Sequence, residues 1–251
     1  IAAVGKDALL TGNRNMLLYA GDRSEGLGAY SGNLIVAGKA GRVVLHDGYD
    51  FHCPQAFTAA RISYEHSYTQ STGIGFAEGW ETLALPFDVQ SIWHLTAETA
   101  IAPFEAHSST VQPFWLYELG DEGWQPAEAI KACVPYIISM PDNDDYIASS
   151  RLSGTVSFRA ENVTVPATTD GTVSRGSLNF IPSTRLIEQS ESVMALNAYE
   201  QSDVRRPGST FVAGLQDVQP FQAYLTASGS RAKTIALAAL HEGMMADAIV
   251  L

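Results

Sequence analysis

His46, Asp47, Asp50, His52 and Cys53 fall within one short stretch, the densest set of metal-ligand and acid–base side chains in the chain. A transition metal would need two or three of them to converge with a ligand from elsewhere in the fold. The stretch reads instead as a turn at Asp47-Gly48 between two extended pieces, which points the two histidines apart. Turn chemistry alone accounts for Asp47 and Asp50. No CxxC pair and no cysteine–histidine spacing of zinc type occurs, so no metal is expected. Asp142-Asn143-Asp144-Asp145 begins like a calcium loop, but Ile147 and Ser153 stand where an EF-hand needs glycine and glutamate. It reads as a solvated acidic loop.

Nucleophilic and cofactor chemistry find no better footing. There is no GxSxG elbow, and neither Cys53 nor Cys133 sits in an active-site signature. Gly26-Leu27-Gly28 and Gly73-Ile74-Gly75 lack a following helical pattern, so no dinucleotide loop and no cofactor are expected. A carboxylate pair for glycoside hydrolysis would meet only in space, and 27 Asp plus Glu offer no means of choosing two. His66, between Tyr64 and Tyr68 on an apolar face, reads as a hydrogen-bonded core histidine whose surroundings disfavour the charged form once buried. The aromatic residues open onto binding. Trp80 and Trp115 lie within apolar runs and read as core. Trp93 follows the Phe87-Asp88-Val89 turn, and Trp124 follows Gly120–Gly123. Tryptophan at a loop edge offers a flat platform to a sugar ring or a protein partner. Trp93, Trp124 and Tyr146 are the expected ligand-binding residues.

The elements that must position these side chains are strands. Ala60-Arg61-Ile62-Ser63-Tyr64-Glu65-His66-Ser67-Tyr68 alternates with period two, placing Ala60, Ile62, Tyr64, His66 and Tyr68 on one inward face. Leu152–Arg159 repeats the alternation, and a second short strand, Asn162–Val165, is stopped by Pro166. Pro113–Leu119, Pro135–Pro141 and Pro220–Thr226 each set a proline beside a short aromatic and branched run, as suits a strand end. Gly120-Asp121-Glu122-Gly123 reads as a hairpin tip. Helical pattern is confined to about one turn over Glu128–Cys133 and a longer stretch over Ser183–Leu196.

At 251 residues the chain can bury a large core, and 46% hydrophobic against 17% charged residues excludes a disordered chain or a coiled coil. A formal net charge of −12 argues against nucleic acid, whose phosphates demand basic side chains, and against anionic membranes. No apolar run approaches the ~20 residues needed to span a bilayer. The chain begins at Ile1 without a basic–apolar leader pattern, which points to a processed or trimmed chain. Nothing in the spacing of Cys53 and Cys133 favours a disulfide, and they read as two buried thiols.

The order of Gly41–Phe51, Ala56–Tyr68, Gly79–Val89, Pro113–Leu119, Pro135–Pro141, Leu152–Pro166, Pro207–Val212 and Pro220–Thr226 resembles the β-rich module near the C-terminus of many secreted or surface proteins of Bacteroidota, often after leucine-rich or other repeats. The resemblance covers roughly residues 33 to 240 and implies an extracytoplasmic β-sandwich, with no catalytic residues to carry over. The expected fold is all-β: an antiparallel, jelly-roll-like sandwich over residues 49–251, preceded by a Gly-rich short-strand segment over residues 1–48. That segment would be an extra sheet layer or the last rungs of a β-solenoid. The expected function is non-catalytic binding or adhesion outside the cell, to a glycan or a surface protein. A structural spacer or cap of a repeat protein is the alternative, and a polysaccharide hydrolase the second alternative.

Overall fold

A computed structural model of the chain describes residues 12–21, 33–68, 76, 78–95, 97–101, 114–139, 154–168, 171–197, 206–228 and 233–241. In chain order the first strands are β1 (Leu17–Ala20), β2 (Asn33–Val36), β3 (Lys39–Ala40), β4 (Val43–His46), β5 (Phe57–Tyr68) and β6 (Trp80–Leu83). There follow β7 (Ser91–His94), β8 (Thr99–Ala100), β9 (Trp115–Gly120), β10 (Gly123–Pro126), β11 (Tyr136–Ser139) and β12 (Gly154–Val165). The last group is β13 (Val173–Arg175), β14 (Leu178–Pro182), β15 (Met194–Leu196), β16 (Thr210–Ala213), β17 (Ala223–Ala227) and β18 (Thr234–Ala236), then a single turn of helix, α1 (Leu237–His241). The protein is thus almost all β. No helix among the described residues is long and apolar enough to cross a membrane.

Among the described residues three sheets form, and none closes on itself. The first runs β1-β2-β3-β5-β12-β7-β8, with β4 also on β5; the second runs β10-β9-β11-β6; the third runs β13-β14-β17-β15-β16-β18. The short second sheet explains how they pack. Tyr136 and Ile138 of β11 join the hydrophobic cluster of the first sheet, whereas Ile137 between them joins the cluster of the third. Leu83 and Leu116 go with the first cluster, Trp80 and Leu119 with the second. A strand buried on both faces reads as a continuous apolar run rather than an alternation, and Tyr136–Ser139 is buried at every position.

The long pair β5–β12 supplies the frame of the first sheet, antiparallel from Phe57↔Val165 to Tyr68↔Gly154. Both strands change the face they bury at one level. Phe57 and Ala59 point inward, then Ile62, Tyr64 and Tyr68; across from them Val165 is inward, then Ala160, Phe158 and Val156. At the crossover, Ala60, Arg61, Glu161 and Asn162 are all exposed. Asn162 adopts φ +50°, the left-handed region that asparagine tolerates better than most residues. The Gln90 side-chain amide bonds both backbone groups of Glu161, at 2.9 and 3.0 Å, just before β7 begins. The expected inward position of Ala60 is therefore corrected, because the alternation is broken at the crossover. Of the two strands expected over Leu152–Arg159 and Asn162–Val165, the described part is one strand, Gly154–Val165, and Leu152 and Ser153 lie outside the described residues.

Two further corrections concern helices. Ser183–Leu196 is not helical: Ile187 bridges to Val218, and the Gln189 N–H goes to Asp217 at 2.8 Å. Over Glu128–Cys133 the Ala132 N–H goes to Asp88 and the Cys133 N–H to the Leu85 carbonyl, so no turn of helix closes. The described strands before residue 49 are hydrogen-bonded into the first sheet, with β3 and β4 both running parallel along β5. The Gly120–Gly123 tip does join a hairpin, β9–β10.

Candidate functional site

The five crowded residues from His46 to Cys53 separate to different partners. The His46 N–H donates to the Asn15 side chain at 2.6 Å, Asp50 accepts from the Leu186 N–H at 2.7 Å, and the Cys53 thiol donates to the Gln55 carbonyl. Cys53 and Cys133 are not joined by a disulfide. No group of three or more His, Cys, Asp or Glu among the described residues is arranged to hold a metal ion.

Asp47 instead reaches His66. The imidazole of His66, on β5, lies between two carboxylates: Nδ1 is 2.7 Å from Asp47 Oδ2, and Nε2 is 2.7 Å from Glu81 Oε2 on β6 of the second sheet. The Tyr64 phenol donates to the other Asp47 oxygen at 2.9 Å. Burial works against the histidinium, but hydrogen bonds and charge from Asp47 and Glu81 outweigh it and push the pKa up to about 10. Burial likewise opposes the Asp47 carboxylate, yet the His66 contact and the Tyr64 hydroxyl leave its pKa lowered. Tyr64 and Tyr68 are driven far above their ordinary range, first by burial and then by the nearby carboxylates. The expectation that His66 is hydrogen-bonded holds; the expectation that its surroundings disfavour charge is corrected, because two anions flank it. The space between these carboxylates is filled by a protein side chain.

The outer face of the first sheet carries a different chemistry. In register across four strands lie His46, Glu65, Ser157 and Trp93, with Ser63, Arg159 and Ser91 in the next row. At about 4.8 Å between strands the row extends ~14 Å. Trp93 is half-buried, and the Arg159 guanidinium lies 5.0 Å from its ring centroid. The Arg159 Nε also donates to Ser157 Oγ at 3.0 Å, which covers that hydroxyl. The result is an aromatic and guanidinium surface with the exposed Glu65 and Ser67 beside it, the Ser67 hydroxyl paired with that of Thr155 at 2.9 Å.

The other expected binding residues fare differently. Trp124 is only 3% exposed, with Phe180 edge-on at 5.4 Å and Phe211 stacked at 6.5 Å. Its expected role as a platform is corrected, because the hairpin tip tucks under α1: a Cβ on Gly123 would lie 1.6 Å from the Leu240 carbonyl oxygen. Tyr146 and the acidic run before it lie outside the described residues. Trp80 is core, as expected, and Trp115 packs partly buried against the same cluster. Sequence reasoning missed Arg159, although its position two residues from Ser157 on an alternating strand was the available signal.

A pocket of about 460 Å³ opens where the three sheets meet, between the 50–52 segment, residues 84, 85 and 133, and the end of β14 with the segment that follows it. No protein-family model, no curated protein and no solved structure matches this chain.

Proposed function

We infer that this chain is a non-catalytic binding or adhesion module, exposed outside the cell, that recognises a glycan on the outer face of its first sheet. The observation that carries this reading is the half-buried Trp93 beside the Arg159 guanidinium on the outer sheet face, in the same row as the exposed Glu65. Tryptophan supplies the apolar platform for a sugar ring, and guanidinium, carboxylate and hydroxyl groups at the rim exchange hydrogen bonds with its hydroxyls. The resemblance to the β-rich module of secreted and surface proteins of Bacteroidota supports the extracytoplasmic address. The fold is read as a sandwich of jelly-roll-related type in which the second sheet lies between the other two.

A glycan-array screen of the protein beside Trp93→Ala tests this. Binding by the parent that the variant loses, with unchanged thermal unfolding, supports the reading. Silence across a broad array from demonstrably folded protein overturns it and transfers the assignment to the structural cap.

That second reading, a spacer or cap of a cell-surface repeat protein, is favoured by the parallel pairs β1–β2, β3–β5 and β4–β5, the pairing a β-solenoid uses, and by the burial of Trp124. A polysaccharide hydrolase gains nothing from the Asp47–Glu81 pair, whose gap His66 occupies.

A further inference from the structure

We propose that the pocket at the junction of the three sheets is a second binding site, and that it takes a small carboxylate-bearing ligand of the size of an acidic monosaccharide. Its volume, about 460 Å³, lies in the range of small-molecule sites. Phe51, Leu85 and Ile181 give it an apolar floor, and Arg185, His52 and Thr184 stand at its polar side.

The polar groups are biased toward donation. Among the described residues the Arg185 guanidinium and the His52 imidazole have no hydrogen-bond or ion-pair partner. Thr168 Oγ1 already accepts the Cys53 N–H at 2.8 Å, which leaves its own proton to give. Asp50 is the one carboxylate of the lining, and one of its oxygens is taken by the Leu186 N–H. A guanidinium without an anion, in a chain of net charge −12, offers a planar pair of N–H groups that fits a carboxylate and nothing neutral so well. The remaining Asp50 oxygen and the threonine hydroxyls suit ring hydroxyls. The apolar floor suits the C–H face of a pyranose.

Methyl β-D-glucuronide and methyl β-D-glucoside, titrated calorimetrically into the protein, separate this from general sugar affinity. The uronide is expected to bind at least tenfold tighter than the glucoside, and Arg185→Ala to remove that preference. The pocket also reports on itself, because Cys133 lines it while Cys53 is 1% exposed. Glucuronide should slow alkylation of Cys133 several-fold, and the glucoside should not. Equal affinity for the two glycosides, an unaltered preference in Arg185→Ala, or no binding of the uronide by folded protein would each overturn the site. Protection of Cys133 reads this pocket and the array of Trp93→Ala reads the sheet face, so failure of the sheet-face reading and failure of this one are told apart.

Discussion

His66 holds a charge on a strand face where its neighbours Tyr64 and Tyr68 are pressed to stay neutral. It can do so because Asp47 and Glu81 each lie 2.7 Å from one of its ring nitrogens. Removing the cation would leave two carboxylates facing each other, so His66→Gln should cost about 2–3 kcal/mol at pH 6. That is less than for a fully buried pair, because the Asp47 side chain is 46% exposed. The dependence on pH carries a definite sign. The folded pKa of His66 lies above its unfolded value of 6.5, so the contribution is complete below about pH 6.5, shrinks above it and is gone beyond about pH 10. Asp47 is lowered from 3.8, so its contribution is present above that value and is lost as acid takes the pH through the folded pKa. The difference in urea midpoint between the two proteins should be widest between about pH 4 and 6.5 and narrow toward pH 10. A difference that stays constant over that range would show His66 to be neutral. The sequence made the histidine's face legible. It could not show the two carboxylates, which come from a turn 19 residues before it and a different sheet.

Along the elements, the alternation of the long strands was legible because apolar burial enforces it, and the Asn162 crossover was not, because Ala60 and Arg61 conform to the pattern up to the point where it breaks. Asn162 at φ +50° makes a test. Asn162→Val should cost about 1–2 kcal/mol, since a β-branched side chain meets its own backbone in the left-handed region, and Asn162→Gly should cost less. Equal cost for both, measured by urea denaturation, would place the effect in lost side-chain contacts instead. Gly208 is bound more tightly still: it has φ +71°, and an added Cβ would lie 2.3 Å from the Trp80 backbone. Gly208→Ala should destabilise by about 2–3 kcal/mol. The Ser183–Leu196 stretch was misread because its apolar spacing fits a helix, while the hydrogen bonds that decide the matter come from Asp217 and Val218, far along the chain.

At the scale of the whole molecule, the second sheet contributes side chains to the two large hydrophobic clusters, so neither of these can be lost alone. Ile138→Ala opens the first cluster and Ile137→Ala the second, and each should cost about 2–5 kcal/mol. Each variant should still unfold in one transition; two transitions in either would separate the clusters. An all-β chain with little helix was legible from composition and turn residues, but the division into three sheets was not, since nothing in the short apolar runs names their partners. For the same reason Trp93 and Trp124, alike in sequence as tryptophans at loop edges, end on an outer face and in a core. That difference is the centre of the functional account. The most direct test is the glycan array run with the parent, Trp93→Ala and Trp124→Phe. A sheet-face platform at Trp93 gives a glycan signal from the parent that Trp93→Ala abolishes and Trp124→Phe retains; retention by folded Trp93→Ala, or silence from all three, rules it out.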